Sequence, residues 1–528
     1  MGGREDCMKL LFAVSEAVPF VKTGGLADVA GALPAALAKL GVDSRVILPK
    51  YRDIAPKWKA RMEHVTDFSV AMGWRRQYCG LESLTHNGII YYFVDNEFYF
   101  SRDAIYGEGQ EEGERFGFFC RAVLESLPHI GFYPDVLHCN DWQTGMIPTL
   151  LKLQYMHLPS YSRIRTLFTI HNLKFQGVFD YKQLDEYFGL GLRYFTPEYL
   201  EFYGGISFMK GGLVFSDYIS TVSPTYAHEI QSPYYGERLD GLLRERSGVL
   251  KGILNGIDKE IWNPETDPFI DTRYSLADFS GKERCKAALR NEFDLAQRED
   301  IAVAAIVSRL SEQKGLDLIE GVLHELLELP LQLIVVGQGG AHYHEMLTWA
   351  QWRFPGKVAV RFEHEEALAH RVYAGADIFL MPSRFEPCGL SQLISLRYGT
   401  IPLVRETGGL KDTVEPYNKY TDEGIGFSFA NYNAHELLFT LERALGYFPE
   451  RKLWSRMMRR AMEADFGWEL SAEQYLSLYG KMHSFSVETK PEHAPSAKPK
   501  AKAAPKKAKP KSADTNAKAY PKANAHKR

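Results

Sequence analysis

Lys22-Thr-Gly-Gly-Leu-Ala-Asp28 joins a cation to a glycine pair directly after a short apolar run. Glycines let backbone N–H groups approach an anion closely, a helix start adds a favourable dipole, and Lys22 adds a full charge. Lys22, Gly24 and Gly25 therefore form a candidate phosphate site, although a Gly-rich turn beside a surface lysine reads the same locally. The spacing is neither G-x-x-x-x-G-K-[ST] nor G-x-G-x-x-G, which counts against a Walker ATPase and a dinucleotide-dependent dehydrogenase. The device recurs at Thr407-Gly408-Gly409-Leu410 and at Gly337-Gln-Gly-Gly340.

Ser308-Arg-Leu-Ser-Glu-Gln-Lys-Gly315 places Arg309 and Lys314 in one loop. Such a pair suits a diphosphate, because Arg chelates two oxygens and Lys acts as a point charge. Pro382-Ser-Arg-Phe-Glu-Pro-Cys-Gly-Leu390 presents Glu386, followed by Cys388 and by the N–H groups of Gly389, Leu390 and Ser391 at a helix start. His138-Cys-Asn-Asp-Trp142 and Thr169-Ile-His-Asn172 end two successive apolar runs. There Asp141 can accept a hydroxyl proton, His171 can donate to a sugar or phosphate, and Trp142 offers an apolar face. Taken singly, either histidine reads by default as structural, and Glu386 as readily as a helix cap; their weight comes from convergence. Metal binding is the competing idea, and no H-E-x-x-H motif or Cys/His cluster accompanies them to support it.

These loops need a scaffold that brings them together. Apolar runs near Leu10–Val14, Ser44–Leu48, Ile89–Val94, Val136–Cys139, Thr166–Ile170 and Tyr218–Val222 alternate with helical stretches such as Gly25–Leu40 and Phe116–Ile130. A second series runs through Ile301–Val307, Leu331–Val336, Val358–Phe362, Ile378–Met381 and Ile401–Val404. Alternation of this kind predicts α/β units on parallel sheets, whose ligands sit beyond the carboxyl ends of the strands. An Asn-Gly turn at Gly256 followed by the breaker-rich Trp262-Asn-Pro-Glu-Thr-Asp-Pro268 places a junction near residue 256. The expected organisation is an N-terminal domain over 8–256, a C-terminal domain over 257–484 and a tail over 485–528, with a ligand cleft between the domains. The helical stretch Ser471–His483 comes after the second series of strands is complete.

With 528 residues, 45% of them hydrophobic and 24% charged, the chain is long enough for two cores and too apolar to be disordered throughout. The net charge of -3 hides an asymmetry. Residues 490–528 carry 12 Lys or Arg against Glu492 and Asp514, a local +10 that leaves -13 for the rest. Their Lys/Ala/Pro repeats predict a disordered basic tail, and a lone aromatic, Tyr520, gives base stacking little purchase, so no specific nucleic acid is expected. No apolar run is long enough to span a membrane, and Ser15 and Glu16 interrupt any secretory signal. Six scattered cysteines without C-x-x-C spacing point to a reducing cytoplasm. Nothing in the sequence signals an oligomeric state.

Together, the blocks Lys22–Pro34, His138–Trp142, Thr169–Asn172, Arg309 with Lys314, Ser383–Leu390 and Thr407–Leu410 resemble the family of bacterial glycogen synthases and plant starch synthases, in order from about Met8 to His483. The resemblance implies a GT-B fold: two doubly wound Rossmann-like domains facing a deep cleft. It implies transfer of glucose from ADP-glucose to the non-reducing end of an α-1,4-glucan such as glycogen, with retention of configuration and without a metal or other cofactor. By motif, Lys22, Gly24 and Gly25 would meet the donor's phosphates and sugar. Arg309 and Lys314 would neutralise the leaving diphosphate, and Glu386 would hold sugar hydroxyls. His171 would contact the transferred glucose, with Asp141 and Asn172 beside it, and Tyr106 would line the acceptor side. Cys388, Gly389, Leu390, Ser391, Thr407, Gly408 and Gly409 complete the expected binding set, with Cys388 a candidate for alkylation and His364 standing where the family often presents an aromatic to adenine. The second carboxylate of the animal and fungal pattern is absent, since Ile394 stands at its place. Retention needs a covalent sugar–enzyme intermediate or front-side attack within an ion pair; clustered cations and scarce carboxylates favour the second.

Overall fold

The chain enters the structure, a computed structural model describing residues 7–363 and 365–484, on β1 (Lys9–Ala13), whose apolar side chains are fully buried. The strands β2 (Asp43–Pro49), β3 (Glu63–Met72), β4 (Arg75–His86), β5 (Ile89–Asp95), β6 (Val136–Asn140) and β7 (Arg165–Ile170) follow. After a small three-stranded sheet of β8 (Val178–Asp180), β9 (Glu201–Phe202) and β10 (Gly205–Ser207), the large sheet is completed by β11 (Tyr218–Thr221) and β12 (Leu250–Gly252). Its order is β12-β11-β7-β6-β1-β2-β5-β4-β3. All pairings are parallel except those of the β3–β4–β5 meander at one edge.

The second sheet consists of β13 (Ala302–Val307), β14 (Leu331–Val336), β15 (Val358–Arg361), β16 (Ile378–Met381), β17 (Ile401–Arg405) and β18 (Phe427–Phe429), all parallel, in the order β15-β14-β13-β16-β17-β18. Successive side chains of a strand point to opposite faces, and both faces here are packed. Ala302, Ala304 and Ile306 enter one apolar core, and Val303 and Ala305 enter another on the reverse side. That explains why these strands read as continuous apolar runs.

Counted over the parallel strands alone, the first sheet runs 3-2-1-4-5-6-7 and the second 3-2-1-4-5-6, the doubly wound order, with the strand order reversing beside β1 and beside β13. The crevice at such a reversal is where ligands bind in open α/β sheets. The loops leaving β1, β6, β13 and β16 are therefore the ones the topology brings to the site. These are the Rossmann-like domains of a GT-B fold.

The antiparallel strands β3 and β4 were not among the expected elements. Most of their residues are exposed or half-buried, so they form no continuous apolar run. The last helix, Trp468–Ser484, packs against the first-domain helix Gly25–Lys39. Its Tyr479 hydroxyl pairs with His138 Nδ1 at 2.9 Å, and Ser471 Oγ donates to the Leu254 carbonyl at 2.6 Å. The expectation of a domain over 257–484 assigned this helix by chain order, whereas its packing sets it on the first sheet's side. The described residues fall in one compact unit. The expected disorder of 485–528 lies outside the described residues, as does His364, which stands in place of an aromatic. Among the described residues, no helix is long and apolar enough to cross a membrane.

Candidate active site

The loop leaving β1 is organised by a residue that the sequence reading used only to argue against a secretory signal. Glu16 is buried, and its Oε2 accepts from both the Thr23 backbone N–H and, at 2.8 Å, the Thr23 hydroxyl. Burial holds this carboxyl above its usual range against those hydrogen bonds. Glu16 thus fixes the segment carrying Lys22 and Gly24, while Lys22 Nζ pairs with Asp28 at 2.7 Å in the helix that follows. A carboxylate just past a central strand, a few residues before a Gly-Gly turn, was the available signal.

Asp141 follows β6 with φ 55°, a region that L residues rarely adopt. The conformation turns its carboxylate towards the end of β7, where Oδ1 accepts from the backbone N–H groups of His171 (2.8 Å) and Asn172 (3.3 Å). Burial pushes the Asp141 carboxyl up to about 7, opposed by those two hydrogen bonds and reinforced by the negative charge of Glu16. His171 is pushed down to about 3 by burial, so it is a neutral imidazole. The Asn140 amide nitrogen donates to the carbonyls of Ala13 and His138, which leaves Asn140 Oδ1 to accept from His171 Nε2 at 2.9 Å. The proton therefore sits on Nε2 and Nδ1 keeps its lone pair. Tyr106 joins this cluster: its hydroxyl lies 2.8 Å from Ser15 Oγ, and burial together with the nearby charges of Glu16 and Asp141 makes that hydroxyl harder to ionise.

In the second domain, Lys314 Nζ pairs with Glu386 Oε2 at 2.5 Å, and the same oxygen accepts from Ser383 Oγ at 3.1 Å. Glu386 is buried, and Arg405 braces its loop by donating from Nε to the Ser383 carbonyl at 2.8 Å. Gly315, at φ 78°, lets the Lys314 loop press on the strand exit, since a Cβ there would lie 2.1 Å from the Pro382 carbonyl oxygen. Arg309 is exposed, and its side chain makes no hydrogen bond or ion pair among the described residues; the structure does not join it to Lys314. The Gly337–Gly340 loop packs on its segment, with Leu310 N donating to the Gln338 carbonyl at 2.7 Å.

Cys388 is corrected by its surroundings. It is 4% exposed and burial pushes its thiol up to about 12, so it is a packed backbone position and not a reactive nucleophile. His138, fully buried between Tyr479 and Thr169, is structural. Trp142 packs on Phe116, Phe179 and Phe208 and serves the core more than a ligand face.

The two sets meet across the cleft. A Cβ on Gly25, at the start of the first-domain helix, would lie 3.4 Å from the Leu390 side chain of the second domain. A cavity of about 270 Å³ opens beside the Glu386 loop, lined from the first domain by Lys174, Tyr226, Tyr234, Tyr235 and Glu237 and from the second by Arg384 and Phe385. Flat aromatic rings among hydrogen-bonding groups suit sugar rings, which present apolar faces and polar edges. The arrangement thus offers cations and backbone donors for an anionic leaving group and buried carboxyls for hydroxyls. Among the described residues, no group of three or more His, Cys, Asp or Glu is arranged to hold a metal ion.

Comparison with known proteins gives two family matches: residues 9–245 to the starch synthase catalytic domain and residues 289–457 to glycosyl transferases group 1. The chain is 56% identical over 475 residues to the glycogen synthase of Geobacillus thermodenitrificans, covering 90% of this chain and 98% of that protein. It is 49% identical over 476 residues to that of Clostridium novyi, covering 90% and 99%. Among solved structures, the catalytic domain of starch synthase IV from Arabidopsis thaliana, bound to ADP and acarbose, superimposes with a TM-score of 0.85 at 33% identity, covering 91% of this chain and 100% of that one. Sucrose-phosphate synthase from Thermosynechococcus elongatus, at 18% identity and a TM-score of 0.58, shares the fold.

Proposed function

This chain belongs to the glycogen synthase family of glycosyltransferases, and on that premise we propose that it transfers glucose from ADP-glucose to the non-reducing end of an α-1,4-glucan, with retention, extending glycogen and releasing ADP. The observation that carries the reading is the Lys314–Glu386 pair at the second sheet's reversal, facing the Lys22 loop at the first. The diphosphate lies against Lys314, Arg309 and the Gly24–Gly25 N–H groups, where cations offset the charge that spreads onto it as the glycosidic bond breaks. Glu386 and the neutral His171 hold glucose hydroxyls, and Asp141, Asn172 and Tyr106 face the sugar and acceptor. Gly389, Leu390, Ser391, Thr407, Gly408 and Gly409 shape the donor floor.

No metal or other cofactor enters the proposed reaction. Each candidate carboxyl is fixed through one oxygen, Glu386 Oε2 by Lys314 and Ser383 and Asp141 Oδ1 by two amides, as groups that hold hydroxyls would be, beside a cluster of cations for the leaving group. This supports front-side attack, with the leaving phosphate taking the acceptor's proton; trapping a glucosyl adduct on either residue would overturn it. The six unpaired cysteines fit a cytoplasmic enzyme.

The test is glucose incorporation into glycogen from ADP-glucose and, separately, from UDP-glucose, without added metal. Transfer from ADP-glucose that falls about 100-fold or more in Lys314→Ala is the expected outcome. Transfer from UDP-glucose alone would move the nucleotide assignment, and transfer from neither would defeat the reading.

A further inference from the structure

We propose that Glu229 is a positioning residue for Glu386, acting from the opposite domain through a reciprocal clasp with Asp412. The proposal rests on the glucosyl-transfer reading above and assigns it a further residue.

The first-domain helix Pro224–Glu229 follows β11, and the second-domain helix Gly408–Thr413 follows β17. Glu229 Oε1 accepts from the Thr407 hydroxyl and from the Gly408 N–H, both at 3.0 Å. In return, Asp412 accepts from the Thr225 N–H at 2.9 Å and from the Thr225 hydroxyl at 2.6 Å. Each carboxylate therefore holds one threonine hydroxyl and one backbone N–H of the facing domain. Beside them, Arg405 Nη2 donates to the Tyr235 hydroxyl at 3.1 Å, a third link across the same seam. Thr407 is fully buried, so its hydroxyl has no water to replace Glu229 as its acceptor.

What Glu229 grips is the floor beneath Glu386. Gly409 N–H donates to the carbonyls of Glu386 (3.2 Å) and Pro387 (3.1 Å). At Gly408, φ is 46° and a Cβ would lie 2.0 Å from the Glu386 carbonyl oxygen; at Gly409 it would lie 2.1 Å from that of Cys388. The two peptide segments are in direct contact, with no side chain between them to absorb a shift. Movement of Thr407–Gly409 therefore moves Glu386 relative to Lys314. The Glu386 carboxylate is set for the donor only while the first domain engages the second through Glu229.

The second carboxylate oxygen of Glu229 is buried without a partner. Only one oxygen is used, so Glu229→Gln can present its amide oxygen to the same two donors. That variant separates the hydrogen bonds from the charge, and Thr407→Val removes one bond with little change of shape.

The experiment compares the full-length wild type with Glu229→Ala, Glu229→Gln and Thr407→Val, by hydrogen exchange of segments 383–391 and 405–410 and by kinetics with ADP-glucose and glycogen. In Glu229→Ala, exchange in both segments should rise about tenfold or more and kcat should fall by a similar factor, with the KM for glycogen unchanged. Glu229→Gln should restore both readouts, and Thr407→Val should lie between. Unchanged exchange over 383–391 in Glu229→Ala overturns the proposal, as does a kcat equal to that of the wild type. Should Glu229→Ala fail to fold, wild-type exchange over 383–391 in Thr407→Val overturns it. A wild type that transfers no glucose from ADP-glucose defeats the functional reading instead, and the exchange data still decide the clasp.

Discussion

Asp141 and His171 are shifted in opposite directions by the same cause: burial discourages charge on either, raising the carboxyl to about 7 and lowering the imidazole to about 3. A carboxyl raised on folding stabilises the protein fully below its unfolded value of 3.8, and that contribution is lost as pH rises through about 7. Relative to Asp141→Asn, the wild type should therefore melt higher at pH 5 than at pH 8, and a pH-independent difference between the two melting curves would contradict the assignment. His171 acts with the opposite sign, its contribution being present above 6.5 and lost as pH falls towards 3. Cys388 gives a simpler expectation: at neutral pH a thiol reagent should modify the exposed Cys7 well before Cys388, and donor turnover should persist while it does. Rapid inactivation traced to Cys388 would show that its loop opens.

At the scale of elements, the parallel strands were legible because both faces of each are covered, which favours a long apolar run such as Ala302–Val307. Helix Gly25–Lys39 was legible from its Gly-Gly start and ended one residue from the expected Leu40. The hairpin β3–β4 was hidden because many of its side chains meet water, and β18, three residues long, carries too little pattern to read. Among site residues, Lys22, Glu386 and Asp141 stood out as polar groups at strand exits. Glu229 did not, since a glutamate ending a six-residue helix becomes meaningful only when a second domain supplies Thr407 and Gly408. Glycine at the domain crossing gives a test at this scale. A Cβ on Gly256 would lie 2.7 Å from the backbone of Gly467 and Trp468, so Gly256→Ala must push the neighbouring main chain away. A cost of about 1–3 kcal/mol, seen as a melting point lower by a few degrees, is expected. An unchanged melting point would show that the crossing has slack.

For the molecule as a whole, the first domain is not one continuous stretch of chain. Its helix Gly25–Lys39 is covered by Trp468–Ser484, and its buried His138 is completed by Tyr479. A fragment ending at residue 256 should therefore expose apolar surface and aggregate, whereas the same fragment joined by a linker to 468–484 should be soluble and monomeric. A well-folded, soluble 8–256 fragment would show that the terminal helix is dispensable to that core.

The chain thus crosses between the domains twice, and the two crossings touch. Ile257 N–H donates to the Phe466 carbonyl at 2.8 Å, and Ile257 bridges Gly467 in parallel. Lys259 straddles Asp465 and Glu469 alongside. A single tether would let one domain swivel freely about its own axis; a pair of laced ribbons resists that torsion, so relative movement of the domains should be confined to a bend about this seam, like the spine of a book. The same seam fixes the registration in which Leu390 lies over Gly25.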